Sequence, residues 1–356
     1  MLKKVLLLLS LLVVLFSCNN LSEDEIKDTT SEGVVLVRNQ SYYELVLPNG
    51  ESFYYTGYDE DGDITGFSLE EDSVEVSVGY GTGFFVSDDG MLVTNAHVVS
   101  NMTDEKSANK SVTRILKALK KLVYAMYTVY DAKLDTAQAL YEYANESDDV
   151  SYDEFYKIRD YRDDVRSERD SYAESYNTLD DMSASDTEVK YHCRISIAYN
   201  DTYVTEDNDF ASCVVIKSDA EHDLAIIQLK DKKTPEGKHI FEVPEDDPME
   251  SYSAMEKFTK AISSDKNSTL YMNSFNLGPT LALTKEGIKS QFNSGHVSQT
   301  TNDRIMYSIP TLPGSSGSPV VNMRGELVAI NYAGLSGTQN FNYGIRVKHL
   351  RNLMDE

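Results

Sequence analysis

The hydrophobic and polar positions of this chain change period twice. Val74, Val76 and Val78 alternate with polar residues, the two-residue period of a half-buried strand. "GYGTGFFVSDDGMLVTNAHVV" follows, with Asp89-Gly90 as a tight turn between two strands. Gly79, Gly81 and Gly83 admit close approach of another chain segment. From about 103 to 182 there is no proline and no glycine. Val112, Ile115, Leu116, Leu119, Leu122, Val123, Met126 and Tyr130 recur at steps of three and four, which is one face of a helix. Phe155, Ile158, Val165, Tyr172, Tyr176 and Leu179 mark a second, narrower stripe, as in a two-stranded coiled coil. Ser151 with Glu154 forms a capping box at its start. The reading is two long antiparallel helices inserted into a β domain. After 190 the strand period returns in "RISIAY", "CVVIKS", "LAIIQL", "TLYMNSF", "IMYSI", "SPVVNM", "ELVAINYAG" and "NYGIRV". Many short strands separated by turns predict a sandwich or barrel. "VKHLRNLMDE" reads as a terminal helix. Upstream, Asn49-Gly50 between β-prone runs predicts a hairpin in 34–58.

Composition narrows the partners. The 356 residues carry a formal net charge of −25, which repels phosphate backbones and disfavours nucleic acid. Lys110, Arg114, Lys117 and Lys121 form a local basic ridge on the first long helix, read mainly as a solvated face. The N-terminus pairs Lys3 and Lys4 with an apolar run from Val5 to Phe16, too short for a comfortable span and right for an export signal. "LFSC" resembles the lipobox of bacterial lipoproteins. That resemblance implies cleavage before Cys18, a lipid on its thiol and tethering to a membrane of the bacterial cell envelope. The polar stretch 19–32 reads as a tether. Cys193 and Cys213 lie on two neighbouring strand candidates; a disulfide and two separate thiols are both open.

Three segments stand out for chemistry, in chain order: "TNAHVV" with His97, "AEHDLAIIQL" with Asp223, and "LPGSSGSPVV" with Ser316. A hydroxyl needs an imidazole to take its proton, and the imidazole needs a carboxylate to hold its tautomer. Gly314 and Gly317 permit a tight bend that aims the Gly314 and Ser316 N–H groups into one small hole for an oxyanion. Asp219 is the competitor of Asp223, and Ser315 and Ser318 compete with Ser316. His192, His222, His239, His296 and His349 read as structural.

These segments resemble those of the trypsin/chymotrypsin-like serine peptidases, above all their bacterial branches. "GTGFFVSDDGMLVTNAHVV" and "HDLAIIQL" are similar to the histidine and aspartate segments of the high-temperature-requirement proteases. "GSSGSPV" is similar to their nucleophile loop, with the serine before proline closer to the glutamyl endopeptidases. The resemblance covers roughly 74–99 and 190–350. It implies a mainly β fold, a chymotrypsin-like double β-barrel of two six-stranded barrels, here interrupted by the helical hairpin. It implies His97 as general base and then acid, Asp223 as its orienting group, Ser316 as nucleophile, and the N–H groups of Gly314 and Ser316 as the oxyanion hole. An imidazole base further predicts activity that falls as pH drops below neutral. No cofactor and no metal site enter this reading. The expected layout is a signal at 1–17, a tether at 18–33, a hairpin extension at 34–72, a peptidase domain at 73–350 interrupted by 103–182, and a tail at 351–356.

Substrate pockets of the family are lined by the stretch before the nucleophile and by a later strand pair. Here these hold Thr311, Asn331, Ala333 and Tyr343 and contain no acid. A small or apolar P1 residue therefore fits better than lysine or arginine. Thr311 is similar to the threonine that helps bind glutamate in glutamyl endopeptidases, but Asn331 stands where those enzymes place a histidine, which argues against a glutamate preference. The high-temperature-requirement branch usually carries a peptide-binding PDZ domain after the peptidase; none is read here, so control through one is not expected. The partner expected is a polypeptide substrate, with docking or self-association through 103–182 as a further role of the insertion. A membrane-anchored interaction lipoprotein with an inactive peptidase-like domain and a serine esterase are the rival readings.

Overall fold

A computed structural model describes residues 21–101, 105–250, 269–334 and 341–356. The signal at 1–17 and Cys18 lie outside the described residues. Among the described residues no helix is long and apolar enough to cross a membrane. The chain divides into two compact units: Met1–Ser41, Ser77–Met102 and Cys193–Glu356 form one, and Tyr42–Val76 with Thr103–His192 the other.

The first unit holds two closed β-barrels. Its opening helix, α1 (Glu23–Gly33), occupies the stretch read as a tether. The sequence there is polar, but Ser22 and Glu25 form a capping box and Ile26 and Thr30 are buried. The Asn273 amide donates to Thr30 Oγ1 at 2.7 Å and to the Lys27 carbonyl at 3.2 Å. One apolar side chain and a satisfied buried amide are enough to order a segment that polarity alone assigns to solvent.

The first barrel uses β1 (Val34–Val46), β3 (Ser77–Phe85), β4 (Met91–Thr94), β5 (Glu188–Tyr199), β6 (Ala211–Asp219) and β7 (Leu224–Leu229), with β2 (Ser52–Tyr55) paired to the far end of β1. The order is β1-β3-β4-β7-β6-β5, and β1 pairs with β5 to close the ring. Val34 to Ser41 run antiparallel to Phe84 to Ser77. The barrel therefore begins at 34, inside the stretch assigned to a hairpin extension. Val34, Val35, Leu36 and Val37 are all fully buried, since a barrel wall presents one strand face to its own interior and the other to packed neighbours.

The second barrel closes β8 (Thr269–Ser274), β9 (Gln291–Thr300), β10 (Arg304–Tyr307), β11 (Pro319–Val321), β12 (Leu327–Gly334) and β13 (Asn342–Arg346) in the order β8-β9-β10-β13-β12-β11. Strand β9 has no apolar alternation and most of its residues are partly or fully exposed, which is why it escapes a hydrophobic-period reading. Helix α5 (Val347–Asp355) follows, with Val347, Leu350 and Leu353 buried; it takes in most of the stretch read as a tail. Lys217 donates to the Leu353 and Met354 carbonyls at 3.1 Å, seating the helix end on β6.

The second unit is the helical insertion with its own small core. Between α2 (Ala96–Val99) and β5 the chain forms α3 (Glu105–Glu146) and α4 (Tyr152–Asp181), an antiparallel pair. Strand and helix content is thus roughly balanced across the chain. The Ser151–Glu154 capping box is present at the start of α4. Val112 and Leu116 pack with Leu45, Leu47 and Tyr55, so the β1–β2 hairpin tip belongs with the helices. Further along, aromatic pairs join the helices: Tyr124–Tyr176, Tyr130–Tyr172 and Tyr141–Phe155, with ring centroids 5.2–5.5 Å apart. Leu122, on the apolar stripe by spacing, is 61% exposed. Arg114 leaves the basic ridge to pair with Asp63 at 2.6 Å.

Both cysteines are free. Cys213 faces Ile195 in the strand ladder, so Cys193 sits two residues off register and its Sγ turns to the Val99 carbonyl at 3.8 Å. Burial pushes the Cys213 thiol up to about 12, with Asp231 adding to the effect, whereas Cys193 is exposed although partial burial raises its thiol too. Iodoacetamide on the native chain is expected to modify Cys193 and spare Cys213. Denaturation without reductant should then expose Cys213 to labelling, as read by mass spectrometry; protection of both under those conditions would mean a disulfide.

Candidate active site

Strand β4 ends at Thr94 and the chain turns directly into the one-turn helix α2, which presents His97 to solvent while Val98 and Val99 are buried beneath it. A tight turn after β6 delivers Asp223 at the start of β7. Asp223 has φ 53, in the left-handed region that aspartate tolerates better than most residues. Its carboxylate grips the histidine twice: His97 Nδ1 lies 2.6 Å from Oδ2, and the His97 backbone N–H donates to Oδ1 at 2.9 Å. The Asn95 amide donates to the Asp223 carbonyl at 2.8 Å, so backbone and side chain are both held. Asp219, the competing acid, instead bonds His222 Nδ1 at 2.6 Å and the Glu221 and His222 N–H groups.

Ser316 comes from the second barrel on the loop before β11. Gly314 and Gly317 have φ 97 and 87, and a Cβ on Gly317 would lie 2.1 Å from the Thr82 carbonyl. The first barrel holds this loop through Thr82. Its N–H donates to the Ser316 carbonyl at 2.8 Å, and its Oγ1 donates to the Gly314 carbonyl at 2.8 Å. A methyl placed on Gly81 would touch Val98, next to His97, and also approach the Ser316 carbonyl at 3.3 Å. The helix that bears the imidazole and the loop that bears the hydroxyl therefore meet across Gly81. Ser316 Oγ donates to the Tyr332 carbonyl at 3.4 Å, a long contact.

Two peptide units of the loop have fixed orientation. The Pro313 carbonyl accepts from Leu277 N–H at 2.6 Å, and the Ser315 carbonyl accepts from Ser318 Oγ at 2.7 Å and the Asn331 amide at 2.9 Å. In a trans peptide the N–H points opposite the carbonyl. Hence the Gly314 and Ser316 N–H groups face away from these partners, and among the described residues neither donates to a protein carbonyl.

The pocket residues separate. Asn331 is 1% exposed, and its side chain is consumed inside the protein: the amide also reaches Ser315 Oγ at 3.1 Å, and Oδ1 accepts from the Tyr307 hydroxyl at 2.8 Å. It positions the loop. Asn331→Ala leaves the fully buried Tyr307 hydroxyl without that acceptor and is expected to destabilise the fold by about 1–3 kcal/mol, read from chemical denaturation midpoints. Thr311 is half-buried beside the loop, and Ala333 pairs with Tyr343 in the β12–β13 ladder. Tyr343 lines a cavity of about 480 Å³ with Asp223, Tyr332, His222, Asp303 and Arg304. Sequence spacing pointed to His97, Asp223 and the serine loop but to neither Thr82 nor Asn95, whose roles depend on contacts 128 or more residues away.

Residues 175–330 match the family model of the trypsin-like peptidase domain, a span that is less than half of the chain. It includes Asp223 and Ser316; His97 lies before it, across the helical hairpin. No curated protein matches in sequence. Similar solved structures include the serine endoprotease from Yersinia pestis, at 11% identity and TM-score 0.43, covering 94% of this chain and 66% of that one. The active form of the Rv3671c protease from M. tuberculosis matches at 10% identity and TM-score 0.42, covering 93% and 82%. Two closed barrels carrying this domain match give the chain a trypsin-like peptidase fold.

Proposed function

We propose that the protein is a serine endopeptidase in which His97, Asp223 and Ser316 act together. The observation that carries this reading is the double grip of Asp223 on His97, which pins Nδ1 at 2.6 Å and leaves Nε2 to work as a base. Attack requires the Ser316 side chain to leave its weak 3.4 Å contact with the Tyr332 carbonyl and present Oγ to that nitrogen. Oγ then attacks the scissile carbonyl carbon and its proton passes to His97 Nε2. The developing oxyanion is met by the Gly314 and Ser316 N–H groups, which already point away from their neighbours. His97 returns the proton to the leaving amine, and water, deprotonated by the same nitrogen, releases the acyl group. The absence of an acid among Thr311, Ala333 and Tyr343 supports a small or apolar P1 residue. The N-terminal pattern supports export and a lipid anchor on Cys18 at the cell envelope. An active-serine phosphonate probe tests the reading: the adduct should map to Ser316 and a denatured protein should be cleaved. A well-folded chain that does neither refutes it, and ester turnover without peptide cleavage replaces it with an esterase.

A further inference from the structure

Two imidazoles outside the triad, both read from sequence as structural, gather with a carboxylate in the first unit. His222 lies on the turn before Asp223, Asp303 on the turn between β9 and β10, and His349 in the first turn of α5. One ligating atom from each falls within 4.8 Å of the others. The His222 and His349 rings are stacked with centroids 3.8 Å apart and planes at 21°. We propose that His222, Asp303 and His349 form a binding site for a divalent transition-metal ion of the zinc class, with the remaining position open to water.

Three observations support this. First, His349 is 8% exposed, and its Nε2 is buried without a hydrogen bond among the described residues. Asp303 Oδ1 stands 3.2 Å from it, at ion-pair distance. A buried imidazole nitrogen beside a carboxylate oxygen places two donors where one cation can share them.

Second, His222 is already oriented as a ligand. Its Nδ1 is taken by Asp219 at 2.6 Å, leaving Nε2 as the ligating atom. A carboxylate behind the imidazole is the arrangement that fixes tautomer and raises basicity in metal-binding histidines. Third, the donor set is right for the ion. Two nitrogens and one carboxylate oxygen match zinc sites that keep one open position. Bonds of about 2.0–2.2 Å need donors about 3.4 Å apart, so the widest pair, up to 4.8 Å apart, must close by up to about 1.4 Å. Asp303 is exposed and His222 half-buried, so both have room to move onto the buried His349.

His222 and Asp303 line the same cavity as Asp223. An ion here would tie the turn that carries Asp223 to the second barrel and to α5. The proposal itself does not depend on peptidase activity, so binding is the measurement. The full-length chain, stripped with chelator, is titrated with zinc chloride by calorimetry. One high-affinity site per chain is expected. His349→Gln and Asp303→Asn should each weaken it at least tenfold, and Asp219→Asn by about tenfold or more. Asp303 is exposed, so its variant decides the matter if the buried His349 variant misfolds. Cobalt should give visible ligand-field bands without a thiolate charge-transfer band. No binding, full affinity in Asp303→Asn, or loss only in a Cys193→Ser, Cys213→Ser double variant would each overturn the assignment.

Discussion

Ser316→Ala is expected to lower kcat for peptide cleavage by on the order of 10⁶-fold while leaving the fold intact. The two halves of this expectation have different sources. Among the described residues the hydroxyl's hydrogen bond is the long 3.4 Å approach to the Tyr332 carbonyl, so removing it costs little stability. The backbone at 316 is held through its carbonyl by Thr82 N–H, and alanine keeps that bond. The neighbouring serines are placed differently. Ser318 is fully buried and its hydroxyl donates to the Ser315 carbonyl at 2.7 Å; Ser315 is 3% exposed and its hydroxyl lies 3.1 Å from the Asn331 amide. Alanine at either position should show first in a lowered melting temperature. Steady-state cleavage of a denatured substrate beside thermal melts separates the three. Retained turnover in Ser316→Ala, or a stable Ser315→Ala chain that has lost all turnover, would remove Ser316 as nucleophile.

Asp223→Asn is expected to reduce kcat by about 10⁴-fold. Asparagine also tolerates the left-handed backbone at φ 53, so the turn and the Asn95 bond to the 223 carbonyl should survive. The change is electrical. An amide can present its NH₂ to His97 Nδ1, which forces the proton onto Nε2 and leaves no base facing Ser316. It also removes the negative charge that stabilises the imidazolium formed during attack. Initial rates of phosphonate labelling and of cleavage should fall together. A loss of less than tenfold in both would mean that another acid serves His97.

The legible parts of this protein were those set by neighbours in the chain. The three-and-four period from Val112 to Tyr130, the Ser151–Glu154 cap and the Asp89-Gly90 turn each depend on a few consecutive residues, and each appears in the fold. The segments around His97, Asp223 and Ser316 were recognisable because each combines a strand end or a glycine bend with a chemical group in a short span.

What escaped was decided by partners far away in the chain. Pairing of Val34–Ser41 with Ser77–Phe84 moved the start of the barrel to residue 34. A single buried Ile26 and the Asn273 amide turned a polar tether into α1. The Asn331 side chain is held by Ser315 and the Tyr307 hydroxyl, and the strand register kept Cys193 and Cys213 apart. The stacking of His222 on His349, 127 residues apart in the chain, gives no local signal at all. Period, caps and turns draw on interactions within a few residues, which the chain carries wherever it goes. Burial and pairing of polar groups depend on which surfaces meet after collapse, and only the folded arrangement supplies that.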